Sequence, residues 1–318
     1  MVEPVPGVPK VMRLGLLNAR KGLPQILLPG LRLLPPRAAS RLVDAMGRGE
    51  FHWNPAIRRR VEAAVGRASA HFGADWDARR VGPRLLGNHF RWRFRDRFLD
   101  GRADAQVDPL LPAQGREHLD SALALGKGVI LLFNHFGSFL MPAHWLVRHG
   151  YPLRWLTERP RNVSRFLSRG FADEGPLGQK SLFMSRKADA AQGASAIRRA
   201  LRVLKAGMVV QVAGDVRWDG PRTARARFLG HDYSFSTTWA SLAAMAGAPV
   251  VPAFGWMEPD GTNRVEFAEP FVVPTQDARD GGLGRWMQLY LDLLEEQVRR
   301  HPENSGDYFF WDERTRVA

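Results

Sequence analysis

Between Gly128 and Ser138 the chain reads Gly-Val-Ile-Leu-Leu-Phe-Asn-His-Phe-Gly-Ser. Its large apolar residues are β-rich and too few for a helix, so they predict a buried strand. The run stops abruptly at Asn134-His135, and Gly137-Ser138 then supply a turn and a helix N-cap. His135 is thereby presented at the carboxyl end of a strand, where open α/β sheets hold their ligands. A histidine there can exchange a proton near neutral pH. A histidine that only hydrogen-bonds a loop fits the local sequence equally well.

The same alternation continues along the chain. Helices are predicted at 115–125, 138–149, 162–172, 190–206, 236–247 and 283–300. Strands are predicted at 128–134, 153–157, near 182–185, and at 208–213, 249–256 and 264–268, with a loop or hairpin at 215–235. This order implies an α/β fold: a central, mixed, mostly parallel sheet flanked by helices. Residues 11–46 differ. Leu-rich pieces carrying Arg13, Arg20, Lys21, Arg32, Arg37 and Arg41 are cut by Pro24, Pro29, Pro35 and Pro36. They read as short amphipathic helices, lying on a membrane or packed on the main domain. The expected division is an N-terminal helical extension, 1–46, and an α/β domain, 47–318.

Residues 55–100 look helical. Within them Arg91, Arg93, Arg95 and Arg97 interleave with Trp92, Phe94 and Phe98. Basic–aromatic interleaving occurs in nucleic-acid binders. However, Phe90, Phe94 and Phe98 recur every four residues and make one apolar helix face, which leaves the arginines on solvated flanks. No nucleic-acid motif accompanies them, and a nucleic-acid partner is not expected.

The 318 residues include 46 basic and 32 acidic side chains, a formal charge of +14. Such an excess attracts anionic lipid or an acidic carrier protein as readily as nucleic acid. The absence of cysteine excludes disulfides, thiolate nucleophiles and cysteine-ligated zinc. The start, Met1-Val-Glu-Pro-Val-Pro-Gly, lacks a basic region followed by an apolar core, and no window has the length of a membrane span. A cytoplasmic location is expected, with peripheral contact at the inner face of the cytoplasmic membrane.

A second apolar run, Val209-Val-Gln-Val-Ala-Gly-Asp215, delivers an aspartate to a strand end as the first delivers His135. If these strands are neighbours, a carboxylate can fix the imidazole tautomer and stabilise its protonated form. Capping of the following turn is the alternative for Asp215. Arg217, Arg222, Arg225 and Arg227 follow, then Phe228-Leu229-Gly230. Clustered arginines suit phosphate or carboxylate, or simply a solvated loop. Glu158-Arg159 also follows a strand and is expected to line the same cleft. There is no nucleophile elbow, Walker A loop, dinucleotide fingerprint or zinc-ligand spacing, so neither cofactor nor metal is expected.

Several segments together resemble the lysophospholipid acyltransferase superfamily, in its bacterial lipid A acyltransferase branch. That branch includes the lauroyl and myristoyl transferases of lipid A and the mycobacterial phosphatidylinositol mannoside acyltransferases. The leader Gly115–Gly128 and Asn134-His135-Phe136-Gly137-Ser138-Phe139 are similar to the segment around the family's catalytic histidine. Asp215, Phe228-Leu229-Gly230 with Ser236-Thr237-Thr238, and Gly247–Pro252 follow in the family's order. Glu295, His301-Pro302-Glu303 and Tyr308–Trp311 complete it, and the resemblance runs from about residue 40 to the C-terminus.

The resemblance implies transfer of an acyl group from an acyl-carrier-protein or acyl-CoA thioester to a lipid or small-molecule acceptor. His135 would be the general base. N–H groups at Gly137 and Ser138 would hold the oxyanion. Asn134, Glu158, Arg159, Arg217, Arg227, Phe228 and Gly230 would bind substrate. One residue departs from the family. The motif is a histidine, four residues, then aspartate or glutamate, and this chain has Leu140 there. Three readings follow. Asp215 is the sole acidic partner; the acceptor is a more easily activated amine or carrier thiol; or the protein has lost catalysis and only binds lipid or carrier.

Overall fold

The strand predicted from the first apolar run is β2 (Val129–Phe133), and all five residues are buried. Ile130 and Leu132 join one core, Val129 and Leu131 the other, so both faces of the strand are covered. That double burial is why the run is continuously apolar rather than alternating. A computed structural model of the protein describes residues 26–156, 163–170, 182 and 190–311.

The main sheet runs β1 (Ala113–Gln114), β8 (Asn263–Phe267), β7 (Pro249–Met257), β2, β4 (Val209–Ala213), β3 (Leu153–Leu156), with β9 (Phe271–Val272) also beside β7. Only β8 and β9 lie antiparallel to β7; the other pairings are parallel. The sheet is therefore mixed and mostly parallel, as expected. A separate hairpin, β5 (Thr223–Phe228) and β6 (His231–Ser236), turns at Leu229-Gly230 with φ of 50° and 81°. Two positive φ values are what a tight two-residue hairpin needs to match strand twist. The side chain of Glu295 accepts from the Leu229 N–H and holds that turn.

Among the described residues the three long helices that precede the sheet are α1 (Pro36–Trp53), α2 (Pro55–Phe72) and α3 (Ala78–Phe94). α4 (Arg116–Ala124) and α5 (Met141–Arg148) cover one face, contributing Leu119, Met141, Trp145 and Leu146 to its core. α6 (Ala190–Lys205), α7 (Thr238–Ala246) and α8 (Leu283–Arg300) cover the other with Leu204, Trp239 and Leu294. The expected strand near 182–185 lies outside the described residues except for Leu182, whose N–H donates to the Trp155 carbonyl at 2.7 Å.

Two expectations change in the helical layer. The boundary between residues 46 and 47 falls inside α1, a single continuous helix. Ala39 and Val43 of α1 pack with Leu28 and Leu31 against Phe90 and Phe94 of α3. These helices are bound to the sheet domain through Arg91, which is 4% exposed rather than solvated. Its guanidinium donates to the carbonyls of Glu258 (2.7 Å) and Thr262 (3.0 Å), beyond the end of β7. Burial lowers the Arg91 pKa to about 10, with Asp44 and Asp260 opposing. A charge so close to carbonyl dipoles remains satisfied without water.

Candidate active site

The register of the sheet builds the site. β2 and β4 pair in parallel with Val129 opposite Val209 and Phe133 opposite Ala213. Two residues further along each strand, His135 and Asp215 stand side by side. The His135 Nδ1 lies 3.1 Å from Asp215 Oδ1 and 3.0 Å from Oδ2. Carboxylate oxygens only accept, so this contact places the imidazole proton on Nδ1 and makes Nε2 the basic nitrogen. The Asp215 side chain is fully buried, whereas that of His135 is 41% exposed.

The carboxylate is held from several directions. Its Oδ2 accepts from the His135 backbone N–H (2.9 Å) and from the Tyr308 hydroxyl (2.8 Å). Burial pushes the Asp215 carboxyl up, but the His135 charge and these hydrogen bonds outweigh it and bring its pKa below the ordinary value. Burial, then the Asp215 charge, keeps Tyr308 protonated far above neutrality, so it remains a donor. Phe228 and Trp311 pack on the Tyr308 ring at 5.1 and 5.0 Å. Gly214 admits Tyr290, whose ring atoms come within 2.3 Å of where a Cβ would stand. The Tyr290 hydroxyl donates to the Phe133 carbonyl at 3.2 Å, at the foot of the same turn.

Other expected residues have different work. The Gly137 N–H donates to the Asn304 carbonyl and the Ser138 N–H to the Gly255 carbonyl, each at 2.9 Å. Neither N–H points to an oxyanion, because the turn uses both to lock onto β7 and the C-terminal segment. Gly137 has φ +50°, and a Cβ there would lie 2.4 Å from the Gly255 carbonyl oxygen. The helix expected from 138 starts at Met141, with Pro142 in its first turn. Asn134 is 1% exposed. It donates to the Ala253 carbonyl at 3.2 Å and accepts from the Phe136 N–H at 3.1 Å, which shapes the turn.

Phe228 is buried behind Tyr308 and supports the dyad at one remove, whereas Gly230 is in the hairpin turn beside His71. The Arg217 guanidinium lies over Trp311 at 4.5 Å and over Tyr233 at 5.4 Å. Arg227 is exposed on β5, its backbone paired with Gln288. Glu158 and Arg159 lie outside the described residues. Sequence reasoning missed Tyr308 and Asn304 as parts of the site. Asn304 Oδ1 accepts from the Met257 N–H at 2.9 Å while its carbonyl receives Gly137. The aromatic cluster Tyr308–Trp311 was the available signal, but nothing in it says which strand end it reaches.

His135 opens into a cleft lined by Asn88, His89, Trp92, Glu303 and Asp307, among others, with about 330 Å³ of space counting its mouth. An oriented imidazole beside such a cleft defines an α/β protein equipped for general-base chemistry. The sequence makes the class specific. Residues 22–314 match the model of the bacterial lipid A biosynthesis acyltransferase family, and the chain belongs to that family. The match begins well before residue 40, in keeping with helices α1–α3 being part of the domain. The chain is also similar to phosphatidylinositol mannoside acyltransferase of Mycobacterium tuberculosis, from strains CDC 1551 / Oshkosh and ATCC 25618 / H37Rv. Each is 28% identical over 224 residues, 68% of this chain. The match spans 64% of the length of those relatives.

Proposed function

We propose that this protein is an acyltransferase in which His135, oriented by Asp215, is the general base. The observation that carries this reading is the fully buried Asp215 on Nδ1 of a half-exposed histidine facing a cleft. The donor is an acyl-carrier-protein or acyl-CoA thioester. Nε2 of His135 takes the proton of the acceptor hydroxyl, amine or thiol, and the freed lone pair attacks the thioester carbonyl. As the tetrahedral intermediate collapses, the carbon–sulfur bond breaks and the thiolate takes the proton from the imidazolium. Asp215 stabilises that imidazolium while it exists. The reaction releases an acylated acceptor and a free carrier thiol.

Leu140 does not argue against this chemistry. An imidazole has two nitrogens, and Asp215 already engages Nδ1, leaving Nε2 for the substrate. The arrangement favours Asp215 as the sole acidic partner over a loss of catalysis. Among the described residues no helix is long and apolar enough to cross a membrane. Exposed Ile26, Leu33, Leu42 and Trp53 lie in the same N-terminal segment as Arg37 and Arg41, which supports peripheral contact with an anionic bilayer. A glycosylated or phosphorylated lipid is the first acceptor class to try.

The test is mass spectrometry of product after incubation with an acyl-carrier-protein thioester and acceptors bearing hydroxyls, amines or a second carrier thiol. An acylated product that disappears with His135→Ala supports the reading and names the acceptor. Unchanged product in that variant removes His135 as the base. No product from any acceptor, beside a working control transferase, favours a lipid- or carrier-binding role.

A further inference from the structure

The segment that locks the His135 turn is itself held in a closed ring of hydrogen bonds. The Asn304 carbonyl accepts from the Gly137 N–H at 2.9 Å. The Asn304 side chain then pairs with Met257, the last residue of β7, as a neighbouring backbone would. Its Oδ1 accepts from the Met257 N–H at 2.9 Å, and its Nδ2 donates to the Met257 carbonyl at 3.3 Å. The next residue, Glu258, gives its carbonyl to Arg91 of α3. Arg91 also donates to Asn88 Oδ1 at 3.2 Å, and Asn88 Nδ2 donates to the Glu303 carbonyl at 3.0 Å. Glu303 adjoins Asn304, so the ring closes.

Asn88 is the member that joins the helical layer to the C-terminal segment. A guanidinium only donates, so the atom facing Arg91 is Oδ1 and the amide nitrogen faces Glu303. Asn88 lines the His135 cleft, yet it is 6% exposed and each end of its amide has a partner. That leaves a substrate little of it to hold. Leu85, nearly one turn earlier in α3, also reaches this segment, 3.6 Å from where a Cβ on Gly306 would stand. Apolar contact of that kind is non-directional and does not fix where the Asn304 carbonyl points. The hydrogen bonds do, because in a buried network each bond sets the geometry of the next and a lost member leaves its partners unpaired.

We propose that Asn88 is a positioning residue: through Glu303, Asn304 and Gly137 it fixes the turn that keeps Nδ1 of His135 on Asp215. The role rests on His135 acting as the base, so its test includes one measurement that needs no turnover. The full chain, isotopically labelled on its histidine nitrogens, is compared by NMR at alkaline pH, where imidazole is neutral. The His135 signals are assigned by their loss in His135→Ala. The wild type should show the Nδ1–H tautomer. Asn88→Ala should admit the Nε2–H tautomer and lower kcat about tenfold to hundredfold, with KM for the acceptor within about twofold. Asn88→Asp keeps an acceptor for Arg91, stays ionised beside it, and brings no donor to Glu303, so it should behave like Asn88→Ala. Its matching shape carries the comparison if Asn88→Ala fails to fold. Asn304→Ala should show the same signature, and the double variant with Asn88→Ala should lose far less than the product of the single losses.

An unmoved tautomer and kcat in folded Asn88 variants would overturn the proposal, as would multiplicative losses in the double variant. Full activity of Asn88→Asp would do so too, leaving Asn88 as an anchor for Arg91 alone. A loss confined to KM would make Asn88 an acceptor contact instead. A tautomer that shifts in the Asn88 variants, with no transfer by the wild type to any acceptor, would keep the positioning role and remove the acyl-transfer reading. Transfer that depends on His135 but ignores Asn88 would do the reverse.

Discussion

His135 and His144 lie on the same strand–turn–helix unit, yet their surroundings give them opposite chemistry. His135 is at a strand end with a buried carboxylate on Nδ1 and a cleft in front. His144 is fully buried in α5, packed on Phe166 at 4.8 Å, with Arg148 as its polar neighbour at 3.4 Å. Burial first, and then the Arg148 charge, lower the His144 pKa to about 3. In the proposed reaction one imidazole is charged and discharged; the other stays neutral throughout ordinary conditions. Residue type does not make a base. The sign of the neighbouring charge and access to solvent do.

The sharpest way to break this comparison is to remove each ring. His135→Ala should cost about 10³-fold or more in kcat. His144→Leu should leave kcat within about threefold, since a neutral buried ring is replaced by a comparable apolar volume. Equal losses in the two variants would show that the unit is needed for folding rather than that His135 acts as a base. Next comes the orienting carboxylate. Asp215→Asn keeps the shape but offers an amide to Nδ1, and kcat should fall about 10³- to 10⁴-fold. Near-normal turnover would exclude Asp215 from the reaction.

Tyr308→Phe should have a smaller effect. It leaves Asp215 ionised and bonded to His135 but removes one donor to Oδ2. A loss of about 1–3 kcal/mol in stability is expected, from one charge-assisted hydrogen bond, with a fall of about tenfold in kcat. A circular-dichroism melt beside initial rates separates the two. Over a single pH unit, the smallest effect concerns acid. His144 is neutral in the fold but is protonated in the unfolded chain below its ordinary pKa of 6.5. The unfolded state therefore binds more protons from about pH 6.5 down to about 3, and stability falls as pH falls through that window. Asp215, held below its ordinary value of 3.8, loses its stabilising effect only at lower pH. Between pH 6 and 5 the His144 contribution approaches about 1.4 kcal/mol per pH unit. His144→Leu should flatten the denaturant-midpoint profile there; an unchanged slope would place the acid sensitivity elsewhere.

The central strands were readable because each is buried on both faces. Val129–Phe133, Val209–Ala213 and Pro249–Met257 are apolar runs with abrupt ends, and an abrupt end locates a strand terminus. That His135 and Asp215 meet was conditional on strand adjacency, which a sequence with apolar runs of similar strength cannot fix. The turn was harder. Gly137 and Ser138 look like a helix start, but their N–H groups answer to carbonyls from Asn304 and Gly255, far away in sequence. Arg91 misled for the same reason: its partners are backbone carbonyls, which leave no mark on residue type. Helix α1 was divided at 46 because Leu-rich, proline-broken sequence precedes it, while its packing on α3 is purely tertiary.

His135 and Asp215 are 80 residues apart in the chain. Yet they meet only because each stands the same number of steps beyond a paired strand residue. The connections beyond the turn at residues 137–140 do not enter that count, provided β3 still pairs with β4. One residue added inside Val129–Phe133 or Val209–Ala213 would instead put the imidazole and the carboxylate out of step and turn one of them to the opposite face. Two short counted segments therefore set the alignment of the dyad.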